Sequence, residues 1–232
     1  MLGPADYVFW LLGTLLQAAV VVCAIWRRSF ARYVTLNLYM AAAFVLSVSR
    51  FVIFLRYGYS SPQYSYFYWL SDSLLTILLY FALMGFYSHV FREMGVHHYL
   101  RLAALLLLAG TAWFSYQVVV NSSHRFLTRF VVELSQNLYF VGVVLTYLLW
   151  GAIMKLRETR TRLIQLVLAL GVYFSAFAVN YALWNLYHEL GFIWQRVPLL
   201  LGIWLPLAWA YTFARIPEEA RLATASVAMP NR

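Results

Sequence analysis

The chain of 232 residues is 64% hydrophobic and only 11% charged, with a mean hydropathy of +0.73. That much apolar side chain exceeds what one core of this length can bury, so a water-soluble domain, a disordered chain and a fibrous one are excluded, and the solvent must be lipid. The net charge of +9 comes from Arg at all but one of 17 basic positions. These residues sit in short runs between apolar stretches, so they read as an orientation signal beside anionic headgroups, with no nucleic-acid partner expected.

Seven apolar stretches follow in chain order, at residues 7–26, 34–55, 66–91, 100–120, 130–154, 163–187 and 197–214. Each reaches or approaches the roughly 20 residues that cross about 30 Å at 1.5 Å per residue. The prediction is an all-α membrane protein with seven transmembrane helices. Residues 1–215 form the transmembrane domain, and 216–232 a short cytoplasmic tail that frays as an amphipathic extension. The first helix is expected to insert as its own anchor, because no basic region precedes it. Pro198 and Pro206 are expected to bend the seventh span.

Basic residues fix the orientation. Arg27, Arg28, Arg32, Arg92, Arg101, Lys155, Arg157, Arg160, Arg162, Arg215, Arg221 and Arg232 fall on one side, twelve in all, against four on the other, Arg56, Arg125, Arg129 and Arg196. A twelve-to-four split predicts the N-terminus outside and the C-terminus inside. Tyr57, Tyr59, Tyr64, Tyr66, Tyr68 and Trp69 near the outer span ends, with Trp26, Tyr33 and Trp150 near the inner ones, read as interfacial aromatic belts. Residues 7–91 and 130–213 each hold three spans with similar loops, and 100–120 links them. This suggests a 3+1+3 pseudo-repeat of parallel type, in which the basic runs 27–32 and 155–162 correspond.

Ionisable side chains in hydrocarbon are costly, at roughly 2.5–3.5 kcal/mol each, and are expected to face the bundle interior with a partner. Arg50, Asp72 and Glu133 stand at one depth, the outer third, together with Asn180, Trp184 and His188 of the sixth span. Helical spacing groups Glu133 with Asn137, Asn180 with Trp184 and His188, and Trp69 with Asp72. These eight residues form the predicted ligand site, an outward-facing polar pocket. Arg50 either pairs with Asp72 or Glu133, or snorkels to headgroups; the polar groups otherwise serve as interhelical glue. Small residues at 41–43 and Gly202 offer packing faces for other membrane subunits.

No catalytic motif is present, which points to a non-enzymatic protein. The single Cys23 allows no internal disulfide, and no metal-ligand spacing occurs. No cofactor is predicted; His89, near the inner end of the third span, lacks a second intramembrane histidine to share a haem or chlorin. Asn121-Ser122-Ser123 fits a glycosylation sequon.

The last span has no Lys, which excludes a retinal protein, and Ser88-His89-Val90-Phe91-Arg92-Glu93 departs from the acidic-Arg-aromatic triplet of G-protein-coupled receptors. The layout is similar to that of sugar- and vitamin-transporting seven-helix proteins in topology alone. Tyr66-Phe67-Tyr68-Trp69 opening the third span, Asp72 soon after, and Phe86 and Phe91 before a basic loop resemble a family of bacterial seven-helix inner-membrane proteins. That resemblance implies a bacterial inner membrane, where the basic split would put the N-terminus in the periplasm and the C-terminus in the cytoplasm; it carries over no activity and no functional residue. Two functions are therefore expected of such a chain: binding a small solute or lipid headgroup in the polar pocket for transport or sensing, or serving as an accessory subunit of a larger membrane complex, one carrying redox cofactors or pigments.

Overall fold

The structure, a computed structural model, describes residues 4–92, 95, 97–120, 126–187 and 196–221. Seven helices account for nearly all of them: α1 (Pro4–Trp26), α2 (Val34–Tyr57), α3 (Pro62–Val90), α4 (His97–Val120), α5 (Phe126–Lys155), α6 (Thr161–Leu186) and α7 (Val197–Arg215). All seven are long and apolar enough to cross a membrane. Helix is what lipid demands, because each backbone N–H and C=O must be satisfied within its own segment. Among the described residues there is no strand, only an isolated bridge between Arg160 and Arg221.

Local chemistry fixes several helix ends. α3 starts four residues before the apolar run at Tyr66 because the Ser61 hydroxyl accepts a hydrogen bond from the Tyr64 N–H at 3.1 Å, and Pro62 fits the first helical turn. α1 and α5 end alike. Arg28 (φ 53°) and Arg157 (φ 50°) take the left-handed conformation. Ser29 N–H then bonds back to Ala24 O at 2.9 Å, and Glu158 N–H to Ile153 O at 3.0 Å. This is the Schellman closure, with arginine where glycine is usual. α7 continues past the buried Pro206. Proline leaves the Gly202 carbonyl without its helical donor, and that oxygen lies 3.5 Å from where a Cβ on Gly13 of α1 would sit.

The helices form a closed ring. α1 packs on α2, α2 on α3, α3 on α5, α5 on α6, α6 on α7, and α7 returns to α1. α4 lies outside, against α5 and, less extensively, α3. Glycines allow the closest approaches. A Cβ on Gly142 would collide with the ring of Phe174, and one on Gly171 would stand 2.9 Å from Thr146 Cγ2, so α5 and α6 pack nearly backbone to side chain. Gly85 is overlaid in the same way by Thr35 of α2.

Ring contacts order the two sides of the bundle. Tyr7 of α1 meets Phe54 at the end of α2, which meets Tyr64 of α3; this is the N-terminal side. Tyr33 before α2 stacks on His89 at the end of α3, 5.0 Å between centroids; this is the C-terminal side. Toward that side the ring is filled by Tyr39, Leu83, Phe86, Trp209 and Phe213, all buried, with Trp209 edge-on to both Tyr39 and Phe86. Trp26, Tyr57, Tyr59 and Tyr66 are exposed, as belt residues should be, whereas Tyr33 is buried in the core.

The start of the tail departs from expectation. Residues 216–221 fold back onto the C-terminal side. Arg162, only 3% exposed, donates to Ser29 Oγ (2.8 Å), to the Ile216 carbonyl (2.8 Å from Nε) and to Glu218 Oε2 (2.7 Å). Glu218 also receives Arg32 at 2.9 Å and the Tyr33 hydroxyl at 3.2 Å. Thr161 N–H bonds to Ala220 O at 3.2 Å. One carboxylate shared by two arginines and a phenol ties a segment that polarity alone would assign to solvent.

Candidate functional site

The ring interior is polar toward its N-terminal side. Arg50, three turns beyond Tyr39 on the same face of α2, points inward, and so does Asp72 of α3. Their Nη2 and Oδ1 atoms lie 3.9 Å apart, with side chains 18% and 24% exposed. Of the two carboxylates considered as partners, Asp72 is the one that Arg50 meets. The guanidinium also donates to Ser71 Oγ (2.6 Å) and the Tyr68 carbonyl (3.2 Å), and stands 4.5 Å over the Tyr68 ring. With those contacts it is held inside the protein and does not snorkel. At 3.9 Å the ion pair is not a hydrogen bond. Among the described residues none donates a hydrogen bond to the Asp72 carboxylate.

Aromatic residues and unpartnered polar atoms surround this pair. One turn along α3, the Thr76 hydroxyl makes a long 3.5 Å bond to the Tyr139 hydroxyl of α5. Tyr139 stacks on Phe177 of α6 at 4.5 Å, interplanar angle 5°. Moving one turn toward the N-terminal side on each helix brings Ser135, Tyr181 and Asn180 level with Asp72. Ser135 is 2% exposed and Asn180 6%. Ser135 Oγ and Asn180 Oδ1 are buried without a hydrogen-bond partner, as is Gln17 Oε1 of α1, which lies one turn from Thr14 on the α1 face between α2 and α7. Asn37 Oδ1, near the C-terminal side, is a fourth such atom; buried polar atoms are bonded in the great majority of cases, so those on the helices around Asp72 require an explanation.

The remaining predicted residues fall elsewhere. Asn137 donates to Ser115 Oγ of α4 at 3.0 Å. Glu133, one turn away on the same face of α5, lines an open groove of about 310 Å³ between α3, α4 and α5, with Trp69, Thr128, Arg129 and three valines. Trp184 is 37% exposed. His188 lies outside the described residues, as do the 121–123 sequon and Glu93. Arg50, Asp72 and Asn180 thus face the ring interior, whereas Trp69, Glu133 and Asn137 face the α4 side. The cause is the position of α4. α5 has two buried stripes, one facing the ring and one facing α4, and spacing alone does not say which polar stripe meets which neighbour. Ser135, Gln17 and Tyr139 were missed; the i, i+4 pair of Ser135 and Tyr139 was the available signal.

Other polar features are structural. His89 Nδ1 lies 2.8 Å from the Gly85 carbonyl, so that nitrogen carries the proton, and its backbone carbonyl accepts from Arg160 at 3.0 Å. Among the described residues no three His, Cys, Asp or Glu side chains converge as a metal site. Gly13 approaches the Gly202 carbonyl within the chain and Ala43 is buried, whereas a Cβ on Gly202 would meet nothing within 4 Å. At the C-terminal side, burial alone would raise the Glu218 carboxyl, but the hydrogen bond from Arg32 and the charges of Arg162 and Arg32 outweigh it and hold it below its ordinary value. The side-chain hydrogen bond from Arg160 does the same for Glu158 against its partial burial. Burial, then the Glu218 charge, pushes the Tyr33 phenol well up, so it stays a neutral donor.

Ring, belts and charged interior define a polytopic seven-helix membrane protein. No family model, no curated protein and no solved structure matches the chain.

Proposed function

We propose that the protein binds a small polar solute inside the helix ring, reached from the N-terminal side, as the recognition step of transport or sensing. The carrying observation is the set of open polar groups facing one another: the Asp72 carboxylate beside Arg50 on one half, and Ser135 Oγ and Asn180 Oδ1 on the other. Acceptors left open in a low-dielectric interior cost free energy unless a donor arrives, and a solute carrying hydroxyl or N–H groups supplies one. The aromatic packing of Tyr39, Phe86 and Trp209 fills the other half of the ring, which supports entry from the N-terminal side.

Two features support a transport reading. The neighbour order fits two triplets, α1–α2–α3 and α5–α6–α7, with α4 as the connector, and both triplets open on a helix closed by a left-handed arginine. Were the two triplets a parallel repeat, substrate would be expected where the halves meet, and Asp72 of α3 and Ser135 of α5 stand on helices that pack there. The twelve-to-four distribution of basic residues supports the N-terminal side being the outer one.

Asn180→Leu tests the proposal. Full-length protein in detergent is melted with and without panels of sugars, amino acids and amines. Wild type should show a solute-dependent rise in melting temperature that the variant lacks while still folding. If no solute shifts the wild type, and the variant merely loses the roughly 0.6–2 kcal/mol of one interhelical hydrogen bond, the interior groups are glue.

A further inference from the structure

The groove between α3, α4 and α5 is separate from the ring interior. It lies near the N-terminal side: Trp69 is two turns into α3, Val118 and Val119 are in the last turn of α4, and Thr128, Arg129 and Glu133 are in the first two turns of α5. Its volume of about 310 Å³ is at the lower end of small-ligand pockets.

Its charges are placed against the preferences of their own helix. Arg129 sits in the first turn of α5, where the positive end of the helix dipole disfavours a cation. Glu133 follows four residues later, and Arg before Glu is the less favourable order for an i, i+4 pair. Among the described residues neither forms an ion pair, with the other or with anything else. Two open charges of opposite sign, about 6 Å apart along the axis, flank an aromatic wall.

We propose that this groove binds a small soluble zwitterion, its primary ammonium inward against Glu133 and Trp69 and its carboxylate outward on Arg129. Arginine is suited to grip a carboxylate with two parallel N–H donors. The Trp69 ring adds cation–π attraction to the ammonium that Glu133 neutralises. Polarity selects a soluble ligand over a lipid headgroup. Glu133 is deeper in the membrane than Arg129, whereas a zwitterionic phospholipid carries its phosphate on the membrane side of its ammonium. The charge separation favours an ω-amino acid, whose termini are several bonds apart. The site is independent of the ring interior and stands or falls without it.

The test uses full-length protein in nanodiscs and saturation-transfer NMR with 4-aminobutyrate, butyrate and butylamine. 4-Aminobutyrate should bind at least about tenfold more tightly than either singly charged analogue, the factor one charge-assisted contact supplies. Glu133→Gln should remove the preference over butyrate, and Arg129→Gln the preference over butylamine. Both are surface substitutions that keep side-chain shape, and circular dichroism and the melting temperature report whether the fold is retained. The proposal is overturned if 4-aminobutyrate gives no signal, if both variants bind it as wild type does, or if phosphatidylethanolamine in the nanodisc displaces it where phosphatidylglycerol does not. The last result assigns the groove to a lipid headgroup.

Discussion

Arg162→Met should lower the stability of the folded protein by about 3 kcal/mol or more, and free residues 216–221 from the bundle. The guanidinium is almost wholly buried, and its removal takes a donor from the Ile216 carbonyl, from one oxygen of Glu218 and from Ser29 Oγ, which keeps only its bond to the Arg27 carbonyl. Methionine fills much of the space, so the loss reports the polar network more than a cavity. Arg32 would remain on Glu218, but its side chain is 53% exposed and such a pair contributes little. The same network sets an acid limit. A carboxyl whose folded pKa is depressed stabilises fully above its unfolded value and loses that contribution as pH falls through the folded one. For Glu218 and Glu158 the ordinary value is 4.5, so wild-type stability should hold above it and fall below it. In Arg162→Met the acid-induced fall should be smaller and be complete at higher pH, because Glu218 is then held less far below its ordinary value. Melting followed by a thiol-reactive dye on Cys23, the only cysteine, reads both effects.

Gly142→Val is expected to be comparably damaging. The Cβ alone would overlap the Phe174 ring, and Phe174 is fully buried, so the ring has nowhere to turn. Overpacking a close helix contact costs about 1–3 kcal/mol, and a β-branched side chain in this one belongs at the upper end. Gly110, on the exposed face of α4, has nothing within 4 Å of a Cβ, and Gly110→Ala should be neutral or stabilise by about 0.5 kcal/mol. Unfolding of the two variants side by side separates lost contact from altered backbone entropy. Equal stability of both would mean that α5 and α6 do not approach as closely as Gly142 and Gly171 indicate.

The seven spans were legible because lipid makes one demand along the whole chain: an apolar run of sufficient length. Their ends were less so. The Ser61 cap carried α3 back past the tyrosines, and tertiary hydrogen bonds to Arg162 held a tail that its composition marked as frayed. The charged site was legible in part. Depth follows from counting residues, and Arg50 and Asp72 do share a level and a face. Azimuth does not follow, because in a membrane the outward faces are apolar too and every helix carries more than one candidate stripe. Glu133 and Asn137 were therefore grouped with Asp72, although α4 claims them. Spacing also gives no hint that Ser135 is left without a partner.

Access to Asp72 is the most direct measure of the central proposal. In a Cys23→Ser background, Asp72→Cys is exposed to a charged, membrane-impermeant thiol reagent from each side of sealed vesicles. The account predicts modification from the N-terminal side, slowed by a bound solute, and none from the C-terminal side, where Tyr39, Phe86 and Trp209 fill the ring. A thiol at this position that reacts from neither side, or only from the C-terminal side, would contradict it.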